Sequence, residues 1–183
     1  MSEPRGSLYL VALGSNMRHR RHGDPHGVLR AALKALSRGA TRLHAAAPIV
    51  SSRPLGPSHR LYANSAAIVS AALPPPAMLA ALKAIERDFG RRRGRRWGAR
   101  VLDLDIILWD GGQWRSRDLC VPHRDFRTRG FVLAPAARIA PRWRDPVTGH
   151  NLLELHARLT RRLPLPRPAH GRAHSSVGRA TDF

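Results

Sequence analysis

Apolar positions along the first hundred residues come in two rhythms. Residues 7 to 13, SLYLVAL, form a short unbroken apolar run closed by the turn formers Gly14, Ser15 and Asn16, which predicts a buried strand. The next stretch, MRHRRHGDPHG, is polar and basic and reads as a loop. From Pro25 to Ser37 the rhythm changes, with Val28, Leu29, Ala32, Leu33 and Leu36 at helical spacing. Residues 41 to 51 are expected to be extended, and RPLGPSHR, with two prolines and a glycine, to be loop. YANSAAIVSAAL then predicts a further strand. Prolines 74 to 76 suit a helix start, where a missing amide donor does no harm. Met78, Leu82, Ile85 and Phe89 continue that helix, and Gly90 stands where it should stop.

A glycine- and arginine-rich loop, GRRRGRRWGAR, leads into the strand VLDLDIILW. The order β-α-β-β-α-β predicts an α+β, ferredoxin-like core: an open, mainly antiparallel sheet packed with helices in three layers, α/β/α. WDGGQW reads as a hairpin turn, and RGFVLAPAARIA and NLLELHARL as short helices. One domain is expected over residues 7–160. The remaining residues, 161–183, carry no periodicity and are expected to form a disordered basic tail.

Composition changes this picture mainly through charge. An apolar fraction of 43% is that of a folded domain, but the formal charge is +20, and of 32 basic residues only Lys34 and Lys83 are lysines. A coding bias toward arginine accounts for much of this as well as function does. The functional account is a phosphate-rich partner, because guanidinium forks match phosphate oxygens in pairs. Net charge does not separate a nucleic acid from a nucleotide. The single cysteine, Cys120, excludes an intrachain disulfide and a cysteine zinc cage. With no signal-peptide pattern and no run long enough to span a membrane, a soluble cytoplasmic protein is expected.

Two carboxylates stand out. In a strand alternate side chains share a face, so Leu102, Leu104, Ile106 and Leu108 are expected on one side and Asp103, Asp105 and Ile107 on the other. Two acids one pleat apart repel unless a cation lies between them, and oxygen ligands of this kind suit magnesium, which completes its shell with water and phosphate. The plain alternative is an exposed sheet face with solvated aspartates. Immediately upstream, however, lie Arg91, Arg92, Arg93, Arg95, Arg96 and Arg100, interleaved with glycines, a loop able to close over a polyphosphate. Trp97 offers a surface for stacking. Downstream, VPHRDFRTRGF brings His123, Arg124, Arg127 and Arg129, and a histidine beside a metal–phosphate centre can donate to a leaving oxygen.

These motifs together resemble those of the 6-hydroxymethyl-7,8-dihydropterin pyrophosphokinases of folate biosynthesis. LGSN (13–16), RPLGP (53–57) with YAN (62–64), IERDFGRRRGRRWGARVLDLDI (85–106) and VPHRDFRTRGFVLAP (121–135) occur in the family's order. The resemblance implies magnesium-dependent transfer of pyrophosphate from ATP to the pterin hydroxymethyl group, releasing AMP, with two ions held by Asp103 and Asp105. It further implies that Arg91 and Arg100 act in catalysis on the phosphates. Glu86, Trp97, Ile106, His123 and Arg129 would share the ATP site. Ser52, Pro54, Leu55, Tyr62, Asn64, Asp103 and Phe131 would form the pterin pocket. Lys83 takes a position where a polar amide is found in the family. The partners implied are the two small-molecule substrates, with a monomer expected. The competing readings are an arginine-rich nucleic-acid binder and an inactive pterin-binding relative.

Overall fold

The computed structural model describes residues 6–52, 62–90 and 101–161. The chain runs β1 (Ser7–Ser15), α1 (Pro25–Ala35), β2 (Arg42–Ala46), β3 (Val50–Ser52), β4 (Tyr62–Ala71), α2 (Pro75–Asp88), β5 (Asp103–Trp109), β6 (Trp114–Arg115), β7 (Cys120–Val121), a 3-10 turn (Phe126–Thr128), α3 (Gly130–Ile139) and α4 (Leu152–Thr160). The expected β-α-β-β-α-β order is present, with its second strand divided into β2 and β3 around Pro48. A proline has no amide to give to a ladder, and the chain re-enters the sheet only beyond it. The expected tail, apart from Arg161, lies outside the described residues.

Local chemistry sets the helix ends. Asp24 caps α1 by accepting the Gly27 amide at 2.8 Å, with Pro25 next in the chain. Pro75 opens α2, and Gly90 beyond its end has a φ of +78°, a conformation that costs glycine little. Asn151 and Glu154 exchange side-chain and backbone bonds at the start of α4, a capping box.

Strands lie in the order β2-β4-β1-β5, with β3 also on β4, and every pairing is antiparallel. One face of the sheet meets α1 and α2. There Tyr9, Val11, Leu13, Leu104 and Ile106 pack on Val28, Leu29, Ala32, Met78 and Leu82. The other face meets α3 and α4, where Leu10, Ala66, Ile107 and Leu108 pack on Leu133, Ala136, Leu152 and Leu155 around a fully buried Phe126. Three layers result, as the pattern predicts.

Two local expectations need correction. Leu108 does not share a face with Leu102, Leu104 and Ile106. The register with β1 shifts between Leu10 and Val11, so Ile107 is an extra residue and Leu108 turns to the second core beside Leu10. WDGGQW does turn, with a bridge between Trp109 and Gly112, but β6 pairs with β7 rather than folding back on β5.

Candidate active site

Strand register brings the sequence motifs into one row. Gly14 on β1 is opposite Asn64 on β4 on one side and Asp103 on β5 on the other, and Asn64 is in turn opposite Val50 on β3. Residues opposite one another share a face, so Asp103, Gly14 and Asn64 look toward the α3 layer. Asp105 follows one pleat on, opposite Ala12, and Ser52 pairs with Tyr62 on the same face. Both aspartates are half-buried, and neither is swallowed by the core. Gly14 matters through what it lacks. A Cβ there would sit 3.7 Å from Asn64 Oδ1, so the bare glycine leaves a slot with a carboxylate at one end and an amide oxygen at the other. Asn64 itself is buried and is oriented by donating from Nδ2 to Ser52 Oγ at 2.7 Å.

The strand between the two acids is braced from α2. Among the described residues β5 is the edge strand of the sheet, so the backbone groups on its outer side look for partners other than a sheet strand. Glu86, fully buried, accepts the Leu104 amide at Oε1 (2.7 Å), and Lys83 bonds both Glu86 Oε1 (2.7 Å) and the Leu104 carbonyl (3.2 Å). Leu104 is the residue between Asp103 and Asp105. One ion pair thus completes the edge ladder at the point where the two carboxylates must be held apart.

The segment after β7 lies along the same strand. The carbonyl of the extra residue Ile107 accepts the His123 amide at 3.1 Å, so the bulge in β5 helps seat the histidine loop. His123 Nδ1 accepts the Asp125 amide at 3.2 Å, which leaves the proton of the neutral ring on Nε2. Arg129 Nη2 bonds Asp125 Oδ2 at 2.7 Å, and Phe131, at the start of α3, packs partly buried against the second core. Ahead of α1, the loop after Asn16 is more ordered than its polarity implies. His19 and His22 stack at 4.6 Å, and His22 stacks on Phe89 at 4.9 Å. Burial first, then the neighbouring His19 and Arg21, push the His22 pKa down.

Of the residues expected in the site, Asp103, Asp105, Asn64, Ser52 and Tyr62 share one sheet face. The His123 backbone is bonded to β5, and Arg129 and Phe131 stand at the start of α3, the helix that packs on that face. Two stand differently. Glu86 works from inside the protein, on the backbone of β5. Ile106 points its side chain into the core beneath α1 and α2, so its main chain is all it offers to a ligand. Arg91, Trp97, Arg100, Pro54 and Leu55 lie outside the described residues. Gly14, Asp125 and Asp145 were not picked out from sequence. Gly14 and Asp125 carried a signal there, since they stand inside the LGSN and VPHRDFRTRGFVLAP motifs, whereas Asp145 carried none.

The donor set fits magnesium. Among the described residues no three His, Cys, Asp or Glu side chains converge. Two carboxylates on one face, with room for water and phosphate oxygens, are what this hard cation takes when bound together with a nucleotide. Among the described residues no helix is long and apolar enough to cross a membrane.

Comparison with known proteins bears on the chain as a whole. A family model described as 7,8-dihydro-6-hydroxymethylpterin-pyrophosphokinase (HPPK) matches residues 10–141. A 2-amino-4-hydroxy-6-hydroxymethyldihydropteridine pyrophosphokinase of Pseudomonas aeruginosa is 43% identical over 149 residues, 80% of this chain and 88% of the relative. Its namesake in Synechocystis is 42% identical over 104 residues, 57% of this chain and 53% of the relative, so the match spans about half of that protein. Among solved structures, a crystal structure of HPPK-DHPS in complex with substrates superposes with a TM-score of 0.65 at 12% identity, over 85% of this chain and 43% of that one. That likeness concerns the fold alone.

Proposed function

This chain belongs to the 7,8-dihydro-6-hydroxymethylpterin-pyrophosphokinase family, and from that membership we propose that it transfers pyrophosphate from ATP to the hydroxymethyl group of 6-hydroxymethyl-7,8-dihydropterin, acting as a monomer. The observation that carries the reading is the row Asp103–Gly14–Asn64, with Asp105 one pleat away on the same face. The slot over Gly14 takes the edge of the flat pterin. Asn64, locked by Ser52, offers its amide oxygen to a ring N–H or amino group, which fixes orientation. Phe131 supplies the stacking face.

Asp103 and Asp105 would hold two magnesium ions, whose charge would offset that of the triphosphate and make its β-phosphorus more open to attack. The substrate hydroxyl attacks the β-phosphorus and its proton is released. The bond from that phosphorus to the α–β bridging oxygen breaks, and AMP leaves with the electron pair. His123 donates from Nε2 to a phosphate oxygen, since its Nδ1 is engaged by the Asp125 amide. Arg129 exchanges the Asp125 carboxylate for phosphate as the nucleotide arrives. By the family resemblance Arg91 and Arg100 would act on the phosphates, Trp97 would serve ATP binding, and Pro54 and Leu55 would serve pterin binding. The reaction needs little covalent help from the protein, and alignment with charge stabilisation supplies most of the rate.

Incubation with ATP, magnesium and the hydroxymethyl pterin is expected to release AMP in step with pterin diphosphate, read by ion-exchange chromatography. ADP as the nucleotide product would refute pyrophosphate transfer. Truncating Phe131 to alanine is expected to weaken pterin binding by about 1–3 kcal/mol through lost stacking. An unchanged dissociation constant by calorimetry would put the pocket elsewhere.

A further inference from the structure

Outside the site lies a buried charge that the reaction does not use. Asp145, in the loop between α3 and α4, is fully buried. Its Oδ1 accepts Arg127 Nη2 at 2.7 Å and the Val147 amide at 3.1 Å, and its Oδ2 accepts Arg127 Nε at 2.7 Å and Thr148 Oγ1 at 2.6 Å. Four donors fill the carboxylate's four acceptor sites. Burial alone would raise its pKa, but the bonds from Arg127, Thr148 and Val147 outweigh this and hold it below the ordinary carboxylate value. Two of the four donors come from the loop itself. The Val147 amide closes a turn on its own aspartate, and Gly149 (φ +74°) donates its amide to the Asp145 carbonyl at 2.9 Å. The loop is therefore a preformed receptor for a guanidinium fork.

Stability is a poor explanation for such a pair, because an apolar pair of equal volume commonly does as well. What a bidentate pair adds is direction. Arg127 sits in the three-residue 3-10 turn Phe126–Thr128, in a stretch with little ladder to hold it. Phe126, fully buried beneath, sets the depth of this turn, and the Arg127 guanidinium lies 4.7 Å over its ring. The backbone is tied at its ends, the His123 amide to the Ile107 carbonyl and the Arg129 carbonyl to the Val132 and Leu133 amides. Between those ties burial of Phe126 sets depth but not the roll of the turn. The fork on Asp145 removes that freedom, and the residues that would swing with it are His123 and Arg129 at the two ends of the segment.

We propose that Asp145, through Arg127, is a positioning residue for nucleotide phosphates: it fixes the roll of the 123–129 segment so that His123 and Arg129 meet the triphosphate together. The inference rests on the pyrophosphokinase reading of those two residues. The full-length chain carrying Asp145→Asn, Arg129→Ala or both would be assayed for kcat and for KM of each substrate, and for pterin binding without nucleotide. Asp145→Asn is expected to lower kcat/KM for ATP by roughly ten- to a hundredfold, the scale of a displacement of about 1 Å at a reacting group. Pterin affinity should stay within about twofold, because Phe131 and Asn64 are held by the core and by Ser52. The double variant should lose clearly less than the product of the two single losses, since part of the Asp145→Asn effect runs through Arg129 and only the remainder, through His123, is left to lose.

A folded Asp145→Asn enzyme with unchanged kcat/KM for ATP, or losses that multiply in the double variant, would overturn the proposal and leave Asp145 a structural staple. Should Asp145→Asn not fold, Arg127→Lys keeps the charge but loses the fork, and the same two criteria apply to it. An Arg129→Ala enzyme with normal ATP kinetics would instead refute the phosphate assignment on which the inference stands.

Discussion

Changing Asp105 to asparagine is expected to cut magnesium-dependent turnover by about two to four orders of magnitude, because a metal at this position supplies several kcal/mol of charge stabilisation at roughly 1.4 kcal/mol per factor of ten. Asparagine keeps the size and one oxygen but gives up the charge that draws a divalent ion out of water. The fold should survive. Asp105 is half-buried on the open face of β5, and its partner across the strand is the small Ala12. Asparagine is nearly the same size and keeps a hydrogen-bonding oxygen, so the packing around the position is little disturbed. Initial rates at saturating ATP and pterin, followed across a magnesium titration, give the direct reading. A thermal midpoint close to that of the parent chain shows that the loss is chemical. An Asp105→Asn enzyme working within about threefold of the parent would remove the metal assignment, since no plausible partial charge replaces the missing one.

Much of this arrangement is legible in the sequence because it follows from periodicity. The helical rhythm of Val28, Leu29 and Ala32, and that of Met78 and Leu82, places α1 and α2 against one face, and those residues are the buried ones. The alternation Leu102, Asp103, Leu104, Asp105 sorts core from site without any structure. Periodicity fails where the chain is apolar on both sides. Ile106, Ile107 and Leu108 give no hint of which residue is extra, so the bulge that turns Leu108 over, and that offers the Ile107 carbonyl to His123, is invisible in one dimension.

Long-range polar contacts are equally hidden. Nothing within RWRDPVTGH tells that Asp145 will meet an arginine 18 residues earlier, because an aspartate before a proline is an ordinary turn residue. Glu86 follows Met78 and Leu82 at four-residue steps on the buried face of α2, but the sequence reading gives it only a place in the ATP site, and its charge does not announce burial. The outer edge of β5 draws it inside. Such an edge has backbone groups to satisfy, and a strand's neighbours are not written in its own residues.

Glu86 is where these two kinds of information meet, and its replacement by alanine is expected to cost about 1–3 kcal/mol of stability, the penalty for leaving the buried Leu104 amide without its acceptor. For a chain of this length that corresponds to a fall in Tm of roughly 2–12 °C. The variant deprives the Leu104 amide of its acceptor and Lys83 of this carboxylate, and both groups lie against the strand that carries the metal-binding aspartates. Glutamine in place of Glu86 keeps an oxygen for the Leu104 amide and should recover a substantial part of the loss, which alanine cannot. Urea unfolding of the three proteins ranks them directly, and the order parent, glutamine, alanine is the expected result. The family resemblance puts Glu86 beside the nucleotide, and a direct contact there makes a different forecast: ATP affinity falls while Tm stays put. If the brace is what matters, magnesium affinity declines with stability in the alanine variant, because Leu104 sets the spacing of Asp103 and Asp105, and it recovers with glutamine as the Leu104 bond is restored.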